Sequence, residues 1–155
     1  MSLMKYLRTP YFYLVMLWVS LILLGANLAI DIFAIPINFR LEEHSMQAAA
    51  AYGVQLFTTF FRVETYFLNV LIIAQVLSPK ASPLKIWGML HYGVTALLLF
   101  YLVYQRQILL PEFIQRVNQG DTTSLHRTLS NFEMLKVTLL LVSAVLSHRS
   151  YRQYQ

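Results

Sequence analysis

Four long apolar stretches, separated by short polar segments, constrain this chain more than any other feature of its sequence. They run from about 11 to 35, 53 to 77, 86 to 105 and 125 to 147, and a helix needs about 20 residues to cross a bilayer core. A soluble domain of 155 residues could not bury a chain that is 57% hydrophobic and only 12% charged. We therefore predict an all-α fold: an integral membrane four-helix bundle, forming one domain over residues 1–155, whose membrane helices we number span 1 to span 4.

The composition also excludes several classes of protein. The chain has no Cys, which rules out disulfides, thiolate metal sites and Cys nucleophiles. Its net charge of +5 comes from scattered residues rather than a run of Lys and Arg, so the predicted partner is the lipid bilayer and not nucleic acid. The four histidines lack the spacing of a haem or metal site, and no nucleophile elbow or phosphate loop is present. The sequence predicts no metal site, identifies no cofactor and leaves open whether the protein is an enzyme.

The distribution of basic residues predicts the orientation, because Lys and Arg are enriched on the cytoplasmic side of membrane proteins. The N-terminus, the segment between spans 2 and 3, and the C-terminus carry six such residues, against four in the other two loops: Lys5, Arg8, Lys80, Lys85, Arg149 and Arg152 against Arg40, Arg106, Arg116 and Arg127. We predict a multi-pass protein of a cytoplasmic (inner) or organellar inner membrane, with both termini cytoplasmic.

The two halves of the chain resemble each other. Segment 35–40, which includes Pro36, and segment 110–116, which includes Pro111, each follow an odd-numbered span and are predicted to be outer loops. Arg62 and Lys136 then open the apolar parts of spans 2 and 4 at similar distances from these prolines. The pattern predicts a tandem repeat of a two-helix hairpin with an offset of about 75 residues, related by an axis along the membrane normal.

Polar residues recur at helical spacing within the spans. On span 2 they follow one another by four, three, four and three positions, which places them on one helix face: Gln55, Thr59, Arg62, Tyr66 and Asn69. Span 1 has a thinner set (Ser20, Asn27, Asp31, Asn38), and span 4 has His126, Ser130, Glu133 and Lys136. Since unsatisfied polar groups are costly in hydrocarbon, we predict that these faces turn into the bundle.

The charged members of these faces suggest a site. Arg62 and Lys136 supply positive charge, with Glu133, Asp31 and Glu64 as counter-ions. Glu64 lies on the other side of span 2 from Arg62, so a buried Glu64 requires a partner on another helix or another chain. The leading interpretation is a polar pocket, open to the outer face, that binds a small ligand or exchanges protons; its predicted residues are Arg62, Lys136, Glu133, Asp31, Gln55, Tyr66, Asn69 and His126. The alternative is a set of structural ion pairs in which Arg62 and Lys136 extend to the interface.

Two stretches carry a family resemblance: Gly25-Ala26-Asn27 with Asp31-Ile32-Phe33-Ala34-Ile35-Pro36 and Arg40-Leu41, and Leu125-His126-Arg127 with Ser130-Asn131. In layout the chain resembles the small four-span membrane proteins that include the anthrone-oxygenase-like group and uncharacterised bacterial relatives. The resemblance implies a four-helix bundle and, in some members, cofactor-independent oxygenation of an aromatic substrate. His126, Asn131 and Arg40 would be the residues of interest.

The sequence therefore allows two further functions besides ligand binding or proton exchange in a polar pocket. One is a non-catalytic accessory or assembly subunit of a larger membrane complex, because a small bundle without a recognisable active site suits that role. The other is a membrane-embedded oxygenase-like enzyme, which rests on the resemblance. Membrane-complex subunits or further copies of the chain are the protein partners that these interpretations allow.

Overall fold

A computed structural model describes residues 9–30, 46–78, 85–119 and 123–153, except for the side chains of 46, 47, 49, 50, 85, 117, 118 and 123–130. These residues form α1 (Tyr11–Ala29), α2 (Met46–Leu77), α3 (Lys85–Tyr104), α4 (Leu110–Asn118) and α5 (Thr123–Arg152), with a π-helical segment, Gln105–Leu109, between α3 and α4. Four stretches are long and apolar enough to cross a membrane, and from here they define spans 1 to 4: Tyr11–Ala29, Ala51–Leu77, Ile86–Arg116 and Asn131–Arg152. The predicted all-α four-helix bundle is confirmed.

The four spans form a ring in chain order. Span 1 packs most extensively against span 4 and next against span 2, while span 3 packs against spans 4 and 2. Spans 2 and 4 therefore face each other across the bundle axis. Any side-chain contact between these two helices passes through the centre of the protein.

Three helices extend beyond the predicted bounds, among them α5, which runs from Thr123 to Arg152 where 125 to 147 was predicted. Helix α2 begins at Met46, seven residues before the predicted start of span 2 at 53. The prediction of a loop at 110–116 is wrong, because this segment is α4 and continues the direction of span 3. Pro111 has no N–H to bond the carbonyl of Gln107, and its ring would clash there in a regular α-helix. The π-helical turn just before the proline widens the helix and accommodates it, so the chain remains helical.

The apolar core lies at the middle of the spans. Its most buried leucines come from all four helices: Leu23, Leu71, Leu98 and Leu140, each 4% exposed or less. Spans 1 and 4 approach each other closely beside this apolar core, because the small, fully buried serines at 20, 143 and 147 leave room for the neighbouring backbone. The hydroxyls of Ser20 and Ser143 lie 2.9 Å apart across this contact.

Candidate functional site

Each of the four spans contributes at least one polar side chain to a single cluster at the bundle axis. The members are buried, with exposed fractions of 0 to 4%: Asn27, Glu64, Gln105, Glu133 and Lys136. Spans 2 and 4 face each other here, so the charged groups lie between helices and away from the lipid. We call these five residues the polar cluster.

Lys136 is the centre of the polar cluster. Its Nζ lies 2.9 Å from Oε1 of Glu64 on span 2 and 2.6 Å from Oε2 of Glu133, one turn earlier on span 4. The same ammonium lies 5.6 Å and 5.7 Å from the ring centroids of Phe60 and Phe61. These contacts with two carboxylates and two aromatic rings replace the water that a buried ammonium loses.

Glu133 has a partner for both carboxylate oxygens. Oε2 accepts from Lys136, and Oε1 accepts a hydrogen bond of 2.6 Å from Nε2 of Gln105. Gln105 is the first residue of the π-helical segment, and its own Oε1 lies 3.5 Å from Nζ of Lys136. Both carboxylate oxygens of Glu133 therefore face donors.

Glu64 is satisfied on one oxygen only. Its Oε1 accepts from Lys136 and, at 3.1 Å, from Nδ2 of Asn27, which also donates to the carbonyl of Leu23. Its Oε2 is buried and has no hydrogen-bond partner among the described residues. The hydroxyl of Tyr101 on span 3 is likewise buried without a hydrogen-bond partner among the described residues.

The charges of the polar cluster do not balance. Glu64 and Glu133 are two potential anions around one cation, Lys136, so the cluster has a net charge of −1 if both carboxylates are ionised. An uncompensated charge is expensive inside a bilayer. One additional proton on a carboxylate would neutralise the cluster, and Oε2 of Glu64 is the carboxylate oxygen of the cluster that has no partner among the described residues.

The surroundings of the polar cluster differ on its two sides. Toward the ends of the spans near Ala29 and Asn131, aromatic rings contact one another, including Phe57 with Phe113 and Tyr104 with Phe132. On the opposite side lies the leucine layer of the core. Beyond that layer a second polar set joins spans 1, 3 and 4, where Ser147 Oγ lies 3.2 Å from Nε2 of His91 and Ser143 contacts Ser20. The leucines separate the two sets.

The structure brings together only part of the predicted site. Lys136 and Glu133 are buried in contact, and Glu64 has its partner on another helix, as its position on span 2 required. The predicted inward direction of the span 2 face is wrong, because four of its predicted site residues point away from the bundle: Arg62, Gln55, Tyr66 and Asn69. Arg62 and Lys136, the matched cations of the predicted repeat, therefore have opposite environments. Asp31 and the side chain of His126 lie outside the described residues.

The outward direction of this face has a physical reason. At about 1.5 Å per residue, Gln55 and Thr59 lie about 33 Å and 27 Å along the axis from the end of span 2 at Leu77, close to or beyond a core of about 30 Å. Arg62 lies about 22 Å from Leu77, within reach of that boundary for a long side chain. Outward polar groups at these depths meet headgroups or water, so they did not have to turn inward.

Three residues in or beside the polar cluster were not among the predicted site residues. Asn27 belongs to the thin polar face of span 1, and Gln105 is an isolated amide near the end of span 3. Tyr101 is one of ten tyrosines and has no distinguishing neighbour in the sequence. The usable signal was depth: Asn27 and Gln105 are polar residues close to the same end of the bundle as Glu133.

A cavity of about 390 Å³ lies away from the polar cluster, on the outward side of span 3, and its lining is apolar: Ile86, Met89, Leu90, Gly93, Val94 and Leu97.

Four apolar membrane helices with a buried, charged centre define a polytopic integral membrane protein, in contact with the lipid bilayer. No known protein family, curated protein or solved structure matches the chain. Its function must therefore be argued from the polar cluster itself.

Proposed function

We propose that this membrane protein holds and exchanges one proton at the polar cluster, with Glu64 as the group that is protonated and deprotonated. The observation that carries the proposal is the charge imbalance among the described residues: two buried carboxylates share one ammonium, and one carboxylate oxygen has no hydrogen-bond partner there. Structural ion pairs alone would be expected to balance their charges, since an unpaired buried charge destabilises the fold.

The hydrogen bonds support Glu64 rather than Glu133 as the group that carries the proton. Both oxygens of Glu133 accept from donors, whereas among the described residues only Oε1 of Glu64 does. The neutral form carries the proton on Oε2 of Glu64. On release the proton leaves to water or to a ligand that enters the cluster, and Lys136 then faces two carboxylates at 2.6 Å and 2.9 Å.

The packing favours exchange on one side of the membrane. Between the polar cluster and the Ser147–His91 pair, the buried side chains of the described residues are mainly leucines, including Leu71, Leu98 and Leu140. Lys136 lies about 20 Å along span 4 from Arg149, so the polar cluster is closer to the opposite boundary of a core about 30 Å thick. We therefore place the exchange on the side where span 1 ends at Ala29 and span 4 begins at Asn131, the predicted outer side.

Infrared difference spectroscopy of the purified protein in lipid tests this proposal, because a protonated carboxyl and a carboxylate absorb at separate frequencies. We expect a carboxyl band that disappears only when the pH is raised above the range in which exposed Asp and Glu ionise. Glu64→Gln should remove the band and Glu112→Gln should not, because Glu112 is half exposed and paired with Arg116.

The outcomes separate the proposal from its alternatives. A spectrum without a pH-dependent carboxyl band, or a band that remains in Glu64→Gln, would refute proton exchange at Glu64. A band that appears only when Na⁺ and K⁺ are removed would show that a metal cation, and not a proton, is the exchanged species. Repeating the titration in vesicles with the pH changed on one side only measures the side of access.

The two other functions, an accessory subunit and an oxygenase-like enzyme, remain predictions from the sequence. A stoichiometric partner that co-purifies after extraction in mild detergent would support an accessory or assembly subunit. Substrate-dependent turnover by the purified chain alone would support the oxygenase-like enzyme.

A further inference from the structure

The outward surface of span 2 differs from that of the other spans at the middle of the membrane. The exposed side chains of spans 1, 3 and 4 in this zone are almost all apolar, such as Leu21, Leu97 and Leu141. The exception on span 4 is Thr138, whose hydroxyl donates to its own helix at the carbonyl of Met134. Lipid can cover all of these groups at little cost.

Asn69 is the polar group on span 2 that lipid cannot cover in this way. It is exposed, and it lies about 12 Å along the helix axis from Leu77, near the middle of a core about 30 Å thick. A side-chain amide has two N–H donors and a carbonyl acceptor, and no hydrogen bond ties that of Asn69 to any residue that the structure describes. The side chain of Asn69 is too short to reach the membrane boundary, whereas the longer side chain of Arg62 can reach it. The Asn69 amide therefore requires a polar partner within the membrane.

We propose that span 2 of a second copy of the chain covers Asn69, forming a two-fold dimer in which the two Asn69 amides hydrogen-bond to each other. Two copies inserted in the same direction place identical residues at identical depth. An amide is self-complementary, because each carbonyl can accept from the other N–H₂ group, so one residue supplies both halves of the contact. Single Asn residues in helix–helix seams fix pairing and register in the same way.

The neighbours of Asn69 suit a helix seam. Tyr66, Ile73 and Val76 are 73%, 57% and 48% exposed, and they follow the spacing of three and four residues that places them on one line with Asn69. Their side chains provide apolar contact on either side of the amide pair. Arg62 lies about 10 Å farther along the same line, where the two guanidinium groups can extend apart into the headgroups.

The lack of native cysteine makes cross-linking a direct test. Ile73→Cys places a thiol one turn from Asn69 on the proposed seam, and Val145→Cys and Leu90→Cys are controls at similar depth on spans 4 and 3. The three native side chains are comparably exposed, at 57%, 59% and 46%. After oxidation of the pure protein in lipid, we expect about tenfold more disulfide-linked dimer from Ile73→Cys than from either control.

A second substitution tests the role of the amide. Asn69→Val in the Ile73→Cys background should lower the cross-linked fraction severalfold, while Asn69→Gln, which keeps an amide, should retain most of it. Because Asn69 is exposed, the monomer should keep its helical circular dichroism in both variants. Glu64→Gln should leave the cross-linking unchanged, so this result and that of the proton-exchange test are independent.

Three outcomes would overturn the dimer. Equal cross-linking at the three positions would show random encounter rather than a seam. Unchanged cross-linking in Asn69→Val would show that the amide does not hold the pair. A product in native membranes that joins Ile73→Cys to a different protein, and not to its own copy, would assign the surface to a heteromeric partner.

Discussion

Replacing Lys136 by Met removes the only cation of the polar cluster while keeping an unbranched side chain of similar length. Contacts at 2.6, 2.9 and 3.5 Å are lost, and two buried carboxylates remain without a counter-ion among the described residues. Unit charges 4 Å apart attract by about 4 kcal/mol at an effective dielectric constant of 20, and breaking a buried pair on one side costs about 3–5 kcal/mol. We expect Lys136→Met to lower the free energy of unfolding by about 3–5 kcal/mol.

Unfolding in mixed micelles, with increasing sodium dodecyl sulfate and circular dichroism as the readout, measures this change. Glu112→Gln is the matched control, because it breaks an ion pair on the helix surface and should cost about 0.5 kcal/mol or less. The triple variant Glu64→Gln, Glu133→Gln, Lys136→Met removes every charge and should return to within about 2 kcal/mol of the native protein. A Lys136→Met protein within about 1 kcal/mol of native stability would refute the reasoning.

Two further substitutions test other contacts in the same titration. Gln105→Leu leaves Oε1 of Glu133 without its donor at 2.6 Å, and we expect a loss of about 1–3 kcal/mol; native stability would show that this bond is not needed. Ser143→Leu should lower stability by about 1–3 kcal/mol, because Ser143 is fully buried at the close approach of spans 1 and 4. Ser143→Ala fits the same space and should lower the free energy of unfolding by about 0.6 kcal/mol. Val142→Leu lies on the exposed side of span 4 and should change the stability little. Equal stability of Ser143→Leu and Ser143→Ala would contradict the close approach of spans 1 and 4.

The proton site and the dimer surface use different faces of span 2. Glu64 points to the bundle axis, where it contacts Lys136, and Asn69 points outward. The helix therefore carries the charged centre on one side and the proposed contact with a second copy on the other. Because no residue belongs to both the proton site and the dimer surface, a substitution can remove either one and leave the other intact.

Part of the charged site could be predicted and part could not. Glu133 and Lys136 are three residues apart on span 4, so the sequence alone places them on one helix face. The outward direction of Gln55, Thr59 and Arg62 on span 2 was mispredicted, because a polar residue near a membrane boundary can face protein, headgroups or water at similar cost. Glu64, flanked by Val63 and Thr65, belongs to no polar face, and its pairing with Lys136 depends on where span 4 lies.

The sequence by itself determined that the protein lies in a lipid bilayer, that its fold is all-α and that it crosses the membrane four times. Each of these follows from the length and hydrophobicity of local stretches. It also determined that Glu64 and Arg62 could not share a helix face. Only the tertiary structure decided which face of each span is internal, and that Asn27, Gln105 and Lys136 meet around Glu64. Periodicity fixes the relative positions of side chains on one helix, whereas the rotation of that helix about its own axis is set by the helices packed against it.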